Sequence, residues 1–265
     1  MAPTKHSPLG GQRSTRRDKR GGEGRQRRAA PSKASPLGGQ RSTRSDKRGG
    51  RYMTQATRII AIRHGETTWN VATRIQGQLD IPLNETGHQQ GARLGRALAG
   101  QSISTIYASD LARAYDTALY VARATGAPVV AEQGLRERGF GEFEGKTFAE
   151  IEAALPEQAR RWRKRDPEFR PAGGESLLQL QARVVATAER LAAQHPGELI
   201  ALVGHGGVMD VLYRAATRLE LHAARTWELG NAAINRLLWS PEGFSLVGWA
   251  DTQHLSDGPL DESLS

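Results

Sequence analysis

The sequence has no cysteine among its 265 residues, which excludes disulfide bonds, thiolate metal sites and cysteine nucleophiles. It also lacks a run of about 18 apolar residues, the length that a membrane-spanning helix needs, so we expect no transmembrane segment. The first residues are basic but no apolar stretch follows them, and we expect no secretory signal. A cysteine-free chain suits a reducing compartment, and we expect a cytoplasmic protein.

Excess positive charge is confined to one end of the chain. The formal net charge is +9, from 37 Lys and Arg against 28 Asp and Glu. Residues 1–52 contain 15 Lys and Arg but 3 Asp and Glu, a balance of +12, which leaves residues 53–265 with a balance of −3. Any contact with nucleic acid would therefore depend on the first 52 residues alone.

Residues 1–52 contain an internal repeat. Residues 2–22 and 30–50 are identical at 18 of 21 positions, and Leu9 and Leu37 are the only large aliphatic residues of the segment. So little apolar surface cannot offset the entropy lost on ordering, and we predict a disordered basic tail. We interpret it as a duplicated low-complexity extension without a selected role. The alternatives are a polybasic arm for nucleic acid or anionic lipid, and a transit peptide.

From Thr57 onward, short apolar runs alternate with amphipathic segments. The predicted strands are 58–63, 105–109, 129–131 and 199–203, with a final hairpin of 233–239 and 244–249. The predicted helices are 86–99, 111–125, 147–155, 157–165, 177–194 and 208–217. This alternation is typical of a three-layer α/β/α domain with a mainly parallel central sheet. We assign it to residues 53–255, followed by a loose C-terminal tail at 256–265.

Polar residues follow the predicted strands, at the edge where sheets of this kind bind ligands. His64 follows the first strand, beside Arg63, and His205 follows the late strand, before the glycine pair that begins with Gly206. Arg113 lies in the first turn of the helix after the second strand. Guanidinium groups and a glycine-rich helix start suit a phosphate, and an imidazole can accept a phosphoryl group. The set predicts phosphoryl transfer, which needs little beyond positioning and charge stabilisation.

Phosphoryl transfer to an alcohol or water also needs an acid that protonates the leaving oxygen. The loop after the third predicted strand offers Glu137 for this role. Glu132, Glu142 and Glu144 are the competing candidates in the same region.

Six motifs in the sequence resemble the histidine phosphatase superfamily, also called the phosphoglycerate-mutase-like family. They are RHGETTWN, IQGQLDIPLNETGHQQ, SDLARAYDTA, LRERGFGEFEG, GGES and VGHGG, in this order. The resemblance extends from about Thr57 to Trp249 and leaves the first 52 residues unexplained.

The resemblance implies that His64 becomes phosphohistidine, that Glu137 is the general acid and then the base, and that His205 binds the transferring phosphate. It implies the following binding residues: Arg63, Asn70, Gln76, Gly77, Arg113 and Gly206. Within this set Asn70 would donate a hydrogen bond to the phosphate, and Gln76 and Gly77 would lie at the mouth of the pocket. No metal and no cofactor are implied, and the expected partner is a small phosphorylated metabolite.

Within this family the sequence favours a phosphatase over a glycolytic mutase. The segment between Glu137 and His205 is shorter than that of the mutases, which carry an insertion there. The resemblance gives the mutases a Tyr three residues after the acid and a Lys eleven residues after it, where this chain has Phe140 and Phe148. The mutases also follow the second histidine with Gly-Asn, where this chain has two glycines.

Three alternatives remain open at this stage. One is a phosphoglycerate mutase-type isomerase, and another is a non-catalytic binding or regulatory member of the family. The third is a metal-dependent hydrolase that uses His64, Glu66 and His205, although no H-E-x-x-H spacing supports it.

We predict that deletion of residues 1–52 leaves the turnover of a small phosphate ester within about twofold, because the predicted tail contributes nothing to the pocket. Turnover and thermal unfolding of the 53–265 fragment, measured beside the full chain, test this. A large loss of either would show that the tail packs on the domain.

Overall fold

A computed structural model of the protein describes residues 55–256, and the predictions for residues 1–52 lie outside that range. The strands are β1 (Thr57–Arg63), β2 (Thr105–Ala108), β3 (Val129–Ala131), β4 (Leu199–Gly204), β5 (Ile234–Ser240) and β6 (Gly243–Asp251). The helices are α1 (Thr68–Val71), α2 (Glu85–Leu98), α3 (Ala112–Thr125), α4 (Phe148–Ala154), α5 (Pro156–Arg163), α6 (Leu177–Ala192) and α7 (Gly206–Thr217). Between residues 55 and 256 no helix has the length and apolar character to cross a membrane.

The six strands form one sheet in the order β3-β2-β4-β1-β5-β6. The first four of these strands are parallel to one another, whereas β5 runs antiparallel to both β1 and β6. The predicted three-layer α/β fold with a mainly parallel sheet is therefore confirmed. Arg63 pairs with Gly204 where β1 and β4 end, so the residues that follow these two strands are neighbours.

Both faces of the sheet are covered, because side chains alternate along each parallel strand. Ile59 and Ala61 of β1 pack in one buried cluster with α6 and α7. Ile60 and Ile62 pack in a second cluster, on the opposite face, with α2 and α3. The sheet is therefore the middle layer between two pairs of helices.

Helices α4 and α5 form a smaller apolar cluster of their own. Phe143, Ile151, Ala159 and Phe169 are its buried members, and Trp162 packs against them. This cluster lies between β3 and α6 in sequence, and Trp162, which packs on it, lines the cavity described below.

Several boundaries differ from the prediction for local physical reasons. Helix α1 was not predicted, because four residues are too few to show a helical period. A capping box between Thr67 and Asn70 stabilises its first turn. Pro156 was placed between two helices but is the first residue of α5, where its missing N–H costs nothing. Helix α7 begins at Gly206, two residues before the predicted start.

The loop after β1 rests directly on the start of α2 through two glycines. A Cβ atom on Gly65 would lie 2.6 Å from the carbonyl oxygen of Gly87, and one on Gly87 would lie 2.1 Å from the carbonyl oxygen of Glu66. Real Cβ atoms do not approach backbone oxygens so closely, so both positions require glycine if the loop is to stay in place.

We predict that Gly87→Ala destabilises the protein by about 1–3 kcal/mol, because the added methyl group forces the backbone of Glu66 away from α2. Chemical denaturation measures the free energy of unfolding. Gly100→Ala is the matched control, because a Cβ atom there meets nothing within 4 Å. Equal stability of the two variants would contradict the close packing of loop on helix.

Candidate active site

The carboxyl ends of β1, β2 and β4 bring three polar residues together. His64 follows β1, Ser109 follows β2 and His205 follows β4, and all three are buried. The imidazole centroids of His64 and His205 are 5.1 Å apart, with the rings tilted by 59°. The two predicted histidines, 141 positions apart in sequence, therefore belong to one site.

His64 is held in one tautomer. Its Nδ1 lies 2.6 Å from the carbonyl oxygen of Gly65, a contact that requires a proton on Nδ1 and leaves the lone pair on Nε2. Burial lowers the pKa of His64 well below its usual value, and the charges of Arg63 and Arg113 lower it further. The imidazole is therefore neutral near pH 7, the form in which Nε2 can attack.

Arg63 and Arg113 each have a guanidinium nitrogen without a partner. Arg63 donates from Nη1 to the carbonyl oxygen of Leu229, and Arg113 donates from Nη1 and Nη2 to the carbonyl oxygens of Leu79 and Gly77. The Nε atoms of both arginines are buried and unpaired in the described part of the chain. Burial is the main cause that lowers the pKa of both groups. Two guanidinium groups that each have a buried, unpaired nitrogen suit an anion.

Ser109 orients His205, a role that was not predicted from the sequence. The Nε2 atom of His205 lies 2.8 Å from the hydroxyl of Ser109, whereas its Nδ1 is buried without a partner among the described residues. Burial, followed by the charge of Arg113, lowers the pKa of His205 well below its usual value. Ser109 lies in the SDLARAYDTA motif, so its position was visible in the sequence although its contact was not.

Asn70 is held by its oxygen, and its amide nitrogen has no hydrogen-bond partner between residues 55 and 256. Its Oδ1 accepts hydrogen bonds from the backbone N–H and the hydroxyl of Thr67, at 3.0 and 3.1 Å. Asn231 also approaches Asn70 Oδ1, at 3.4 Å, and donates at 2.9 Å to the carbonyl oxygen of His64. Asn231 was not predicted, because nothing in the sequence of its loop marks it.

The carboxylate of Glu137 lies at the first turn of α7. Both of its oxygens are 3.1 Å from the backbone nitrogen of Gly207, and one also accepts from the N–H of Arg138 at 2.7 Å. The N–H of Gly207, which we expected to face a phosphate, therefore binds Glu137. Gly206 lies beside Glu137 and Arg63 in the same cavity.

The three competing acids have other partners. Glu132 pairs with Arg190 at 2.5 Å, and Glu142 accepts from the backbone N–H of Ala172 at 3.3 Å. Glu144 accepts from two backbone N–H groups, those of Gln78 and Phe140, each at 3.0 Å. None of these three carboxylates lines the cavity that Glu137 and Arg63 share.

Gln76 and Gly77 lie on the loop that Arg113 holds. Gly77 contributes its carbonyl oxygen, 2.7 Å from Arg113 Nη2, and Gln76 has a buried Oε1 with no partner in the described part of the chain. Gly77 thus contacts the site through Arg113, and neither residue lines the cavity beside Arg63.

The third alternative proposed a metal bound by His64, Glu66 and His205. Glu66 Oε1 instead accepts a hydrogen bond from the amide of Asn84 at 2.8 Å. Across residues 55–256, no three His, Asp or Glu side chains are grouped so that they could share an ion.

A cavity of about 410 Å³ opens beside Arg63. Arg63, Glu137 and the first residues of α7 belong to its lining. The remaining lining combines apolar and charged side chains: Arg138, Phe140, Trp162, Arg165, Leu177, Leu180, Asp210, Arg225 and Leu229. The volume and this mixture are typical of a small-molecule site.

Known proteins similar to this chain include two plant relatives and one bacterial structure. Phosphoglycerate mutase-like protein 4 of Arabidopsis thaliana is 36% identical over 204 residues, which cover 75% of this chain and 87% of that protein. The metal-independent phosphoserine phosphatase of the same plant is 37% identical over 207 residues, 77% of this chain and 85% of that protein. The structure of Bacillus stearothermophilus YhfR matches with a TM-score of 0.72 at 30% identity, over 76% of this chain and 100% of that one.

These proteins and the six sequence motifs indicate the same family. Residues 59–252 match the sequence profile of histidine phosphatases, and the sheet edge brings both motif histidines into one buried site. The chain belongs to the histidine phosphatase superfamily, branch 1.

Proposed function

We propose that this chain hydrolyses small phosphate monoesters, without a metal, through a phosphohistidine on His64. One observation carries the proposal: three buried nitrogens around His64, namely Arg63 Nε, Arg113 Nε and His205 Nδ1, have no partner among the described residues. All three are donors when the hydroxyl of Ser109 donates to His205 Nε2. A buried donor left unpaired costs about 1–3 kcal/mol, so such a group of donors favours an anionic ligand. A phosphoryl group has three oxygens to accept from them.

The first step transfers the phosphoryl group to the enzyme. His64 Nε2 attacks phosphorus in line with the ester bond, so a P–N bond forms as the P–O bond breaks. Glu137 gives its proton to the leaving oxygen, and the alcohol departs neutral. Arg63 and Arg113 stabilise the charge on the phosphoryl oxygens during the transfer, and Asn70 donates a further hydrogen bond from Nδ2.

The second step returns the phosphoryl group to water. Glu137, now a carboxylate, takes a proton from the water whose oxygen attacks phosphorus. The P–N bond breaks, inorganic phosphate leaves, and His64 regains its neutral imidazole. The hydrogen bond from His64 Nδ1 to Gly65 keeps Nε2 in line throughout both steps.

Two aromatic residues favour hydrolysis over the mutase alternative. Phe140 and Phe148 occupy the positions that the resemblance gives to Tyr and Lys in the mutases. Both pack on Trp162, with ring centroids 5.6 and 5.4 Å apart, so they contribute apolar surface and no group that binds a carboxylate. The relative named as a phosphoserine phosphatase supports the same choice, whereas the one named mutase-like is compatible with either activity.

We assign the reaction to a catalytic domain at residues 53–255 and infer that the substrate is a small phosphorylated metabolite. The cytoplasmic location stays a prediction.

We predict that mixing the enzyme with substrate and quenching in alkali traps one phosphate on His64, because a phosphoramidate resists base and is lost in acid. Mass spectrometry of the labelled peptide identifies the site. His64→Ala removes both the label and turnover. A label that survives acid, or that persists in His64→Ala, would refute the assignment.

We predict that Glu137→Gln slows alkyl phosphates about 10²–10⁴-fold more than it slows 4-nitrophenyl phosphate. An alkoxide needs a proton in order to leave, whereas a nitrophenolate departs unaided. The measurement is kcat/KM for both substrate classes.

Arg113→Ala is the comparison variant for that experiment. It should slow both substrate classes alike, because Arg113 serves the phosphoryl group whatever alcohol leaves. If Glu137→Gln also slows both classes equally, Glu137 only shapes the pocket, and the acid must be another carboxyl group.

A further inference from the structure

The segment that carries Glu137 has little regular structure of its own. A single 3-10 turn at Gln133–Leu135 precedes Glu137, and residues 136–140 belong to no helix or strand. Backbone carbonyl groups in such a segment need donors from other parts of the chain, because no neighbouring strand supplies them. The source of those donors decides how firmly the carboxyl group of Glu137 is held.

Arg183, on α6, supplies donors to three of these carbonyl groups. Its Nη1 donates to the carbonyl oxygens of Gly134 and Arg136, at 3.0 and 2.9 Å, and its Nη2 is 3.3 Å from the carbonyl oxygen of Glu137. Gln78 also donates to the Glu137 oxygen, at 3.1 Å. A planar guanidinium with five N–H groups can serve several acceptors in a fixed geometry. One side chain therefore fixes the backbone at Glu137 and just before it.

Glu175 holds the guanidinium of Arg183 in a bidentate pair. Arg183 Nε is 2.9 Å from Glu175 Oε1, and Nη2 is 2.7 Å from Oε2. Glu175 Oε2 also accepts from the backbone N–H of Gly139, at 2.8 Å. Both side chains of the pair are largely buried, and a buried bidentate pair is directional. The pair therefore joins α6 to both ends of the segment, at Gly134 and at Gly139.

A different element holds the carboxylate of Glu137. Its oxygens accept from the N–H of Gly207, at the start of α7. Arg183 makes no hydrogen bond to this carboxylate within residues 55–256, and it does not line the cavity that Glu137 lines. Arg183 therefore contacts Glu137 through the backbone and stays outside the space that a substrate can enter.

We infer that Arg183, fixed by Glu175, is a positioning residue for the general acid. It holds the backbone of Glu137 so that the carboxyl group stays within hydrogen-bonding reach of the leaving oxygen. This inference rests on the proposed function, in which Glu137 protonates that oxygen. Proton transfer needs a heavy-atom separation of about 2.6–3.2 Å, and a misplacement of about 1 Å can slow a reaction about 10²-fold. Loss of the three hydrogen bonds should therefore weaken acid catalysis.

The test uses Arg183→Lys, which keeps the positive charge beside Glu175 but cannot bond three carbonyl oxygens in the same geometry. We expect kcat/KM for an alkyl phosphate to fall about 10–100-fold more than kcat/KM for 4-nitrophenyl phosphate, because only the alkoxide needs the acid. Glu175→Gln leaves Arg183 in place but removes its ionic partner, so it should lower the same alkyl-to-aryl ratio by a smaller factor. Turnover of 4-nitrophenyl phosphate shows that each variant is folded.

Arg236→Lys is the matched control. Arg236 also pairs with a carboxylate, that of Asp251 at 2.9 Å, but it lies on β5 and makes no contact with the segment around Glu137 among the described residues. The same substitution there should leave the alkyl-to-aryl ratio as it is in the unaltered enzyme.

A double-mutant cycle separates positioning from a general loss of structure. The Glu137→Gln background has no acid left to misplace, so adding Arg183→Lys should leave the alkyl-to-aryl ratio where Glu137→Gln alone sets it. A residue that only stabilises the fold would instead lower both rates together in either background.

The outcomes separate this inference from the proposed function. An unchanged ratio in Arg183→Lys, or a fall that recurs in the Glu137→Gln background, overturns the positioning role and leaves the phosphatase function standing. If Arg183→Lys does not fold, an unchanged ratio in Glu175→Gln overturns it in the same way. If Glu137→Gln itself leaves the ratio unchanged, Glu137 is not the acid, and the positioning role fails with that part of the proposed function.

Discussion

The parallel pairing of β1 with β4 is the constraint on which the site depends. Arg63 pairs with Gly204 at the ends of the two strands, so the residues that follow them, His64 and His205, lie at adjacent positions at the sheet edge. A slip of this register by one residue would move the side chains of the strand to the opposite face of the sheet and separate the two imidazoles. Both strands are buried on both faces, so the packing that stabilises the sheet also fixes the distance between the two histidines.

The site also depends on a buried positive charge, whose hydrogen-bond partners belong to the backbone. Arg113 is fully buried, yet its partners are the carbonyl oxygens of Gly77 and Leu79 rather than a carboxylate. Carbonyl oxygens orient a guanidinium without neutralising it, so its full charge stays available to a phosphate. Burial, together with the charges of Arg63 and Arg113, lowers the pKa of His64 well below its usual value. Under the proposed function, phosphate binding and the nucleophilicity of His64 therefore share the charge of Arg113 as one cause.

The sequence predicted the layers of the fold well, because long periodic segments carry their own signal. Strand β3 has the predicted bounds, and β1 differs by one residue. His64 and His205 meet at one sheet edge, although the roles of the predicted site residues stay predictions. Asn231 could not be found, because it reaches His64 from 167 positions away, in a loop without a period. The partner of the Gly207 N–H was also invisible, since only the folded chain brings Glu137 to the start of α7.

Arg214 joins two parts of the molecule that the reaction itself does not use. Its side chain contacts Asp210 within its own helix and the loop that leads to Arg225, whereas His64, Ser109 and His205 follow the strands. The loop and the sheet edge therefore have separate supports. Because the loop lines the cavity, substitutions in it can reshape the cavity while the residues at the sheet edge keep their places, which gives the fold a simple route to new cavities during evolution.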